Sequence, residues 1–531
     1  MTTNTGALFN SELSGGKRFA AGLLAGAVAG LTMSTVMLLL ASALGIATPL
    51  AIIGDRLSVF IPADAFLALM GKVGGYNHMK QLGVSSVIAG QIILGALGGA
   101  LYGMKAPQLS LGGRRRFSIG AFIVLPLVVV GLFLWPVLGT NYWGYPIKNA
   151  TVITLVGLLV SFIVFERTLV LGFRGLISRP RSLPADVEYT PPIGRRALIL
   201  GGLGLLAAGG GGAILRKLYR AATFSYDGTQ YKGEGVQAIT PNEQFYCVTK
   251  NVIDPKVQAA VWRLEVTGLV EKPQRYKLDR LKSLPPVTQE TTLMCISNGL
   301  GAGLISNAVW KGVPMKTLLD AANPLTSAAK VRLHGVDNYT DTISLAKALD
   351  PGTLVVYEMN GEPLPDRHGF PARCIVPGYF GEKHVKWVTR IELTGPEAEG
   401  FYEKQGWGPD FTVPIRSRID VPYNEQWFGA PTAAKGIPMK GIAFGGDRGV
   451  SRVEVSADDG KTWADAKLDY PGTRLTWALW SYPWQPAKVG DYSLVVRATN
   501  ADGELQTFDE KRPFKSGTSG FHKVVAHVYA G

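Results

Sequence analysis

Cysteine is scarce in this chain: three in 531 residues, Cys247, Cys295 and Cys374, with no CxxC pair and no cysteine–histidine cluster. Three cysteines build no disulfide framework, and isolated ones suggest neither structural zinc nor an iron–sulfur cluster. Histidine is nearly as rare. Of His78, His334, His368, His384, His522 and His527, only His78 falls in the apolar first part of the chain, and it sits in a loop. A heme held by two histidines within membrane helices is therefore excluded, and no heme is expected in this chain. Negative charge is also in deficit, leaving a net charge of +14. The basic residues gather in loops between apolar stretches and form no patch interleaved with aromatics, so nucleic acid is not an expected partner.

What the chain has is apolar residues, 47% of the total, crowded into the first ~215 positions. Spans are expected at about Phe19–Gly45, Leu82–Met104, Phe117–Leu138, Ala150–Phe173 and Ala197–Leu215. Each holds about 20 residues, enough for ~30 Å of hydrocarbon at ~1.5 Å per residue. Thr48–Gly74 is also apolar but is broken by Asp55, Arg56, Pro62 and Asp64. Charge at mid-bilayer is costly, so this stretch reads as an interfacial or re-entrant helix pair; a true span there would reverse the parity. Lys105 with Arg114–Arg116 fill one loop, and Arg174, Arg179, Arg181, Arg195 and Arg196 another. By the positive-inside rule both loops face the cytoplasm, which puts everything after about Tyr219 on the extracytoplasmic side of the cell membrane. The last span opens GRRALILGGLGLLAAGGGG. Its twin arginine reads either as an internal twin-arginine export signal or as plain orienting charge. Both readings give the same destination.

Residues 1–219 thus form a membrane domain of about five transmembrane helices, followed by a polar linker over 220–235. Residues 236–410 mix strand-like runs such as WRLEVTGLV with helical pieces such as MKTLLDAA, which suggests α+β. From 411 to 531, period-two strands alternate with DDG, VGD and ADG turns, the pattern of a β-sandwich.

Two segments carry the chemistry. Cys295 lies in TTLMCISNGLGAGLISNAVWKG, between an apolar strand and a glycine-rich turn, where a sulfur can be presented without obstruction. A soft thiolate there is a candidate ligand for a transition metal. Further on comes DRHGFPARCIVPGYFGEKHVKW, in which Cys374 reads as a buried strand residue; Cys247 reads as structural. Together these segments resemble the molybdopterin-binding domain of the sulfite oxidase family, over roughly residues 236–531.

The resemblance implies a sulfite-oxidase-type α+β domain, an immunoglobulin-like dimerisation domain after it, and a molybdenum–molybdopterin cofactor. Cys295 would bind the metal. His368, Arg373 and Lys386, with the backbone at Gly378 and Gly381, would hold the pterin and its phosphate. Asn251 and Asn298 would support them, and His384 would be a surface or packing residue. Three departures stand out. Lys250–Asn251–Val252 occupies the place of an Arg-Asn-His segment, and the paired arginines after the cysteine are missing. The active-site tyrosine falls on Trp407, with Tyr402 nearby but out of register. The sandwich-domain arginine has no clean counterpart, Arg512 and Lys515 being candidates only. Fewer cations suit a dianion less well. The expected reaction is therefore two-electron oxygen-atom transfer on a small sulfur-containing substrate, with Cys295, Trp407 and Lys250 in the catalytic set. Alternatives are a methionine sulfoxide reductase, sulfite oxidase proper, or a non-catalytic membrane-tethered module. A separate redox partner, a cytochrome or a quinone-linked protein, is expected, as are the lipid bilayer and a second copy of the chain.

Overall fold

The computed structural model describes residues 14–47, 49–58, 60–73, 76–177, 231–251, 254–508 and 516–530. They form two compact units, one helical and one built on β-sheet.

In the helical unit, four helices are long and apolar enough to cross a membrane: Gly15–Leu44, Gln81–Gln108, Leu111–Phe133 and Ile147–Ile177. They coincide with the first four expected spans. The fifth, Ala197–Leu215, and the twin arginine before it lie outside the described residues. Helix α1 (Gly15–Leu44) is followed by α2 (Pro49–Ser58) and α3 (Ala63–Lys72), ten residues each. At ~1.5 Å per residue neither reaches across ~30 Å of hydrocarbon. Next come α4 (Tyr76–Lys105), α5 (Leu111–Ile119), α6 (Leu125–Phe133) and α7 (Ile147–Ile177). A π-turn over Gly120–Val124 joins α5 to α6.

Helices α1 and α4 meet along glycines four residues apart, Gly22, Gly26 and Gly30 facing Gly95, Gly99 and Gly103. A Cβ at Gly26 would overlap the Gly95 carbonyl, and one at Gly99 would overlap that of Gly22. In a bilayer, helices gain little from burying apolar area against one another, and close backbone approach of this kind would supply the attraction instead. The Ser34 hydroxyl adds a bond to Gln91 Oε1 at 2.7 Å. Between α5 and α7, Ser118 donates to the buried Glu166 Oε1 at 2.6 Å, which satisfies part of a carboxyl that hydrocarbon would not tolerate bare.

The second unit holds four sheets. The first runs in the order β2 (Gln274–Tyr276), β1 (Leu264–Gly268), β10 (Val388–Thr394), β5 (Lys330–Gly335), β6 (Thr340–Ser344). Only its β1–β10 pairing is parallel. The helix Met315–Ala322 buries Met315, Leu318, Leu319 and Ala322 in the same core. The second sheet is antiparallel, β3 (Val287–Met294), β4 (Ile305–Pro314), β7 (Leu354–Met359) and β8 (Glu362–Pro363), with β9 (Arg373–Ile375) also on β7. The pair Met294–Ile305 ends the β3–β4 ladder, so Cys295 is the first residue off the sheet.

The remaining two sheets share one core, which includes Trp480, Trp484, Val496 and Val524. One comprises β11 (Arg416–Val421), β13 (Ile437–Phe444), β17 (Ala478–Trp484) and β16 (Lys467–Tyr470). The other comprises β12 (Gln426–Gly429), β19 (His522–Tyr529), β18 (Gly490–Thr499), β14 (Arg452–Ser456) and β15 (Ala464–Asp465). Residues at the end of the expected linker are already part of this unit: Tyr231 is buried and stacks on Trp477 at 6.1 Å.

Gly26→Leu should separate α1 from α4 and destabilise the helical unit by roughly 1–3 kcal/mol or more. Gly90→Ala, where an added Cβ meets nothing within 4 Å, should be neutral. Thermal unfolding of the detergent-solubilised protein distinguishes the two.

Candidate active site

Cys295 opens the loop between β3 and β4. Its amide donates to Leu304 O at 3.0 Å, continuing the hairpin one step past the sheet, and its carbonyl accepts Asn298 N–H at 3.0 Å. The Asn298 side chain accepts Leu304 N–H at 2.9 Å and so closes the turn from inside. From the other side, Arg416 on β11 donates to the Asn298 carbonyl at 2.8 Å and lies 3.9 Å from Met294 Sδ. One guanidinium therefore holds both ends of the cysteine's turn. The sulfur lies 3.1 Å from Ser297 Oγ. Burial pushes its thiol up to about 11, so without an electrophile it keeps its proton. A metal is what would displace that proton.

The second segment gathers cations around one turn. His368 ends a short 3-10 turn, Asp366–His368, and its Nε2 donates to Asn242 O at 3.0 Å, edge-on to Phe245. Burial, then Arg373 and Lys386 beside it, push the imidazole down to about 3, so it is neutral. Arg373, on β9, donates to the carbonyls of His368 at 3.1 Å and His384 at 3.2 Å, over the Trp310 ring. Burial lowers it to about 10, which still leaves it charged. Lys386 Nζ contacts the carbonyls of Val248 and Arg367, both at 3.2 Å, and Cys247 Sγ at 3.7 Å. None of these three acceptors is a carboxylate. His384 packs inside, its Nδ1 accepting Val376 N–H at 3.1 Å.

Two glycines of this segment have neighbours that leave no room for a side chain. Gly378 has φ +85°, and a Cβ there would meet the Asp447 carboxylate at 2.5 Å; one at Gly381 would meet the Tyr246 hydroxyl at 2.6 Å. Both expected cradle glycines thus make room for neighbouring side chains.

Lys250 and Trp407 converge on one aromatic group. Lys250 Nζ donates to Asp337 O at 2.8 Å and lies over Phe401 at 5.7 Å. Trp407, buried, stands 5.7 Å from Tyr402, which stands 5.2 Å from Phe401. Trp407 shares a core with Met294 and Ile296, the two neighbours of Cys295. Asn251 is buried as well. Arg512 and Lys515 lie outside the described residues.

Residues 251–402 match the oxidoreductase molybdopterin-binding domain, and residues 410–516 match the Mo-co oxidoreductase dimerisation domain. Over these residues the chain is similar to molybdopterin oxidoreductases of the sulfite oxidase type. Among curated relatives it is 32% identical over 317 residues to the mitochondrial sulfite oxidase of Mus musculus, covering 50% of this chain and 57% of that one. It is 32% identical over 304 residues to nitrate reductase (NADH) 2 of Phaseolus vulgaris, covering 46% of this chain and 34% of that one. The chain thus spans between a third and just over half of these relatives' lengths. The sulfane dehydrogenase SoxCD from Paracoccus pantotrophus aligns over 58% of this chain and 92% of its own, with 20% identity and a TM-score of 0.48.

The residues present fit the family's cofactor. Arg373 Nε is shielded from solvent and has no hydrogen-bond partner, which is what a donor meant for an absent anion looks like. The cations around it suit a phosphate, and Cys295 suits the metal.

Four features escaped the reading of the sequence. Ser297 and Arg416 are the contacts on the cysteine's turn. The third is a buried ion network: Lys383 Nζ bridges Asp341 Oδ1 at 2.6 Å and Glu403 Oε1 at 2.7 Å, and Tyr339 donates to Asp341 Oδ2 at 2.7 Å. Burial opposes the Lys383 charge, but the two carboxylates outweigh it and hold the ammonium above its ordinary value. Since Glu403 also accepts Gly400 N–H, the network ties down the segment that carries Tyr402 and Trp407. The fourth is Glu382, whose carboxyl oxygens are both shielded and without hydrogen-bond partners. Burial, with Asp341 adding to it, pushes that acid up to about 8. A signal existed only for Arg416: IRSRID alternates, putting Arg416, Arg418 and Asp420 on one face of a strand.

Lys383→Ala would strand the buried Asp341 carboxylate and the partly exposed Glu403, and should cost about 3–5 kcal/mol in denaturant unfolding. For Glu382 the folded value lies above the unfolded 4.5. Its cost to stability is absent below pH 4.5, grows as pH rises to about 8 and is constant beyond. Glu382→Gln should therefore be neutral near pH 4 and stabilising at pH 8 in cofactor-free protein.

Proposed function

We propose that this chain is a membrane-anchored, molybdopterin-dependent oxidoreductase that carries out two-electron oxygen-atom transfer on a neutral sulfur compound. The observation that carries the reading is the buried Cys295 sulfur, held at the mouth of the β3–β4 loop. When bound, the cofactor supplies the redox chemistry itself. The chain's residues bind and orient it: Cys295 at the metal, and His368, Arg373 and Lys386 toward pterin and phosphate. Trp407 and the Phe401–Tyr402 pair make an apolar wall that excludes water.

The choice of substrate rests on the same wall. Tryptophan offers a broad apolar face and a single N–H donor, which favours a sulfoxide or thioether over a dianion. Lys250, bonded to a backbone carbonyl and lying over Phe401, adds little for sulfite. A methionine sulfoxide reductase is therefore preferred to a sulfite oxidase. Retention of the cysteine and the cation cluster argues against a non-catalytic module.

The positive charge of Arg114–Arg116 at the start of α5, and of Arg174 to Arg196 from the end of α7 onward in sequence, favours an extracytoplasmic catalytic unit. The paired sheets after residue 411 would be an immunoglobulin-like domain that joins two copies. Electrons would pass to or from a separate membrane redox partner, a cytochrome or a quinone-linked protein.

With artificial electron carriers, the loaded protein should reduce methionine sulfoxide and oxidise sulfite weakly or not at all. Cys295→Ser should lower turnover at least ~1,000-fold, the loss of about 4 kcal/mol of transition-state stabilisation, whereas Cys374→Ala should affect packing alone. Efficient sulfite oxidation at low substrate concentration would overturn the substrate reading. Cysteines introduced at Asp458 should react with impermeant reagents on intact cells, and those at Arg115 should not; the reverse would overturn the orientation.

A further inference from the structure

The β3–β4 loop carries a second polar side chain besides Asn298. Ser297 Oγ lies 3.1 Å from Cys295 Sγ. This is the hydroxyl's one side-chain hydrogen bond among the described residues, and the loop around it is fixed at several points. Cys295 N–H is bonded to Leu304 O, Asn298 N–H to Cys295 O, and Leu304 N–H to the Asn298 side chain. Arg416 holds the Asn298 carbonyl from β11. With the residues before and after it held in this way, the serine cannot swing far from the sulfur.

In the thiol form either atom could donate. A sulfur bound to a metal has given up its proton and has only lone pairs to offer, so the hydroxyl must be the donor. Hydrogen bonds to a ligand sulfur draw charge away from the metal and stabilise its more reduced state.

We propose that Ser297 is a positioning residue for the metal site, donating its hydroxyl hydrogen to the Cys295 sulfur and so raising the reduction potential of the bound molybdenum. The proposal rests on the reading of Cys295 as the metal's ligand. It adds that the ligand's donor strength is set two residues along the chain.

The test uses the full chain loaded with cofactor, with molybdenum content and thermal stability matched between variants. The Mo(VI)/Mo(V) midpoint potential and the sulfur-to-metal charge-transfer band are recorded for each. Ser297→Ala should lower the potential and move the band to longer wavelength, because a sulfur without its donor gives more charge to the metal. Ser297→Thr, which keeps a hydroxyl, should stay with the wild type. Its near-isostere Ser297→Val should follow the alanine variant and serves where Ser297→Ala does not load. An unmoved potential and band in the hydroxyl-free variants would overturn the role of Ser297. Cys295→Ser separates that result from failure of the ligand itself. If Cys295→Ser, still holding molybdenum, keeps the wild-type band, the sulfur was never bound and the proposal falls with the reading beneath it.

Discussion

A buried sulfur needs its position fixed from outside, because a thiol makes only weak bonds of its own. Here Arg416 does much of that work. It comes from the first strand of the C-terminal sheets, yet its bonds are to residues either side of Cys295. Neither half of this unit makes the site alone. The α+β half supplies the hairpin and its loop, and the β-rich half supplies the cation that sets the loop's shape. Within the β-rich half, His522 on β19 accepts Ile419 N–H of β11 at 3.0 Å through Nδ1, and its Nε2 side lies against Gly301 of the cysteine's loop. Its imidazole is driven down to about 4 by burial and then by Arg418 and Arg416. It can therefore act as an acceptor there throughout the physiological pH range.

Charge inside this unit is arranged in two ways. Around Lys383 the ions are paired and bonded, and they serve to hold a backbone segment. Around Arg373 and Lys386 the bonds go mainly to backbone carbonyls, with the Arg367–Asp254 ion pair at 3.2 Å on the flank. Buried charge without a counter-ion is costly unless an anion arrives to pair with it. The first arrangement ties down a backbone segment, and the second would suit a phosphate. The neutral His368 can donate a hydrogen bond there without adding another charge.

Much of the architecture was legible in the sequence because it rests on local pattern. Four hydrophobic stretches of the right length became four helices, and the interrupted stretch became two short ones that part just before Ala63, where Pro62 stands. Alternation with glycine turns marked the C-terminal strands, and Cys374 lay buried on β9 as its apolar surroundings suggested. Features that depend on distant partners were not legible. Nothing near Lys383 announces Asp341 or Glu403, which lie 42 and 20 positions away. The close approach of Asp447 to Gly378 and of the Tyr246 hydroxyl to Gly381 is likewise set by residues distant in sequence. Arg416 was overlooked for the same reason: its partners Met294 and Asn298 lie 122 and 118 positions earlier in the chain.

The central claim is that Cys295 and the Arg373 cluster together hold one molybdopterin-bound molybdenum. The most direct measurement is molybdenum and pterin stoichiometry of the purified full chain, combined with X-ray absorption at the molybdenum edge. The account predicts one metal and one pterin per chain, with a protein sulfur in the coordination sphere besides those of the cofactor, and that extra sulfur lost in Cys295→Ser. A metal bound with the same sulfur count in both proteins, or a folded chain that takes up pterin and metal equally well without Arg373 and Lys386, would contradict it.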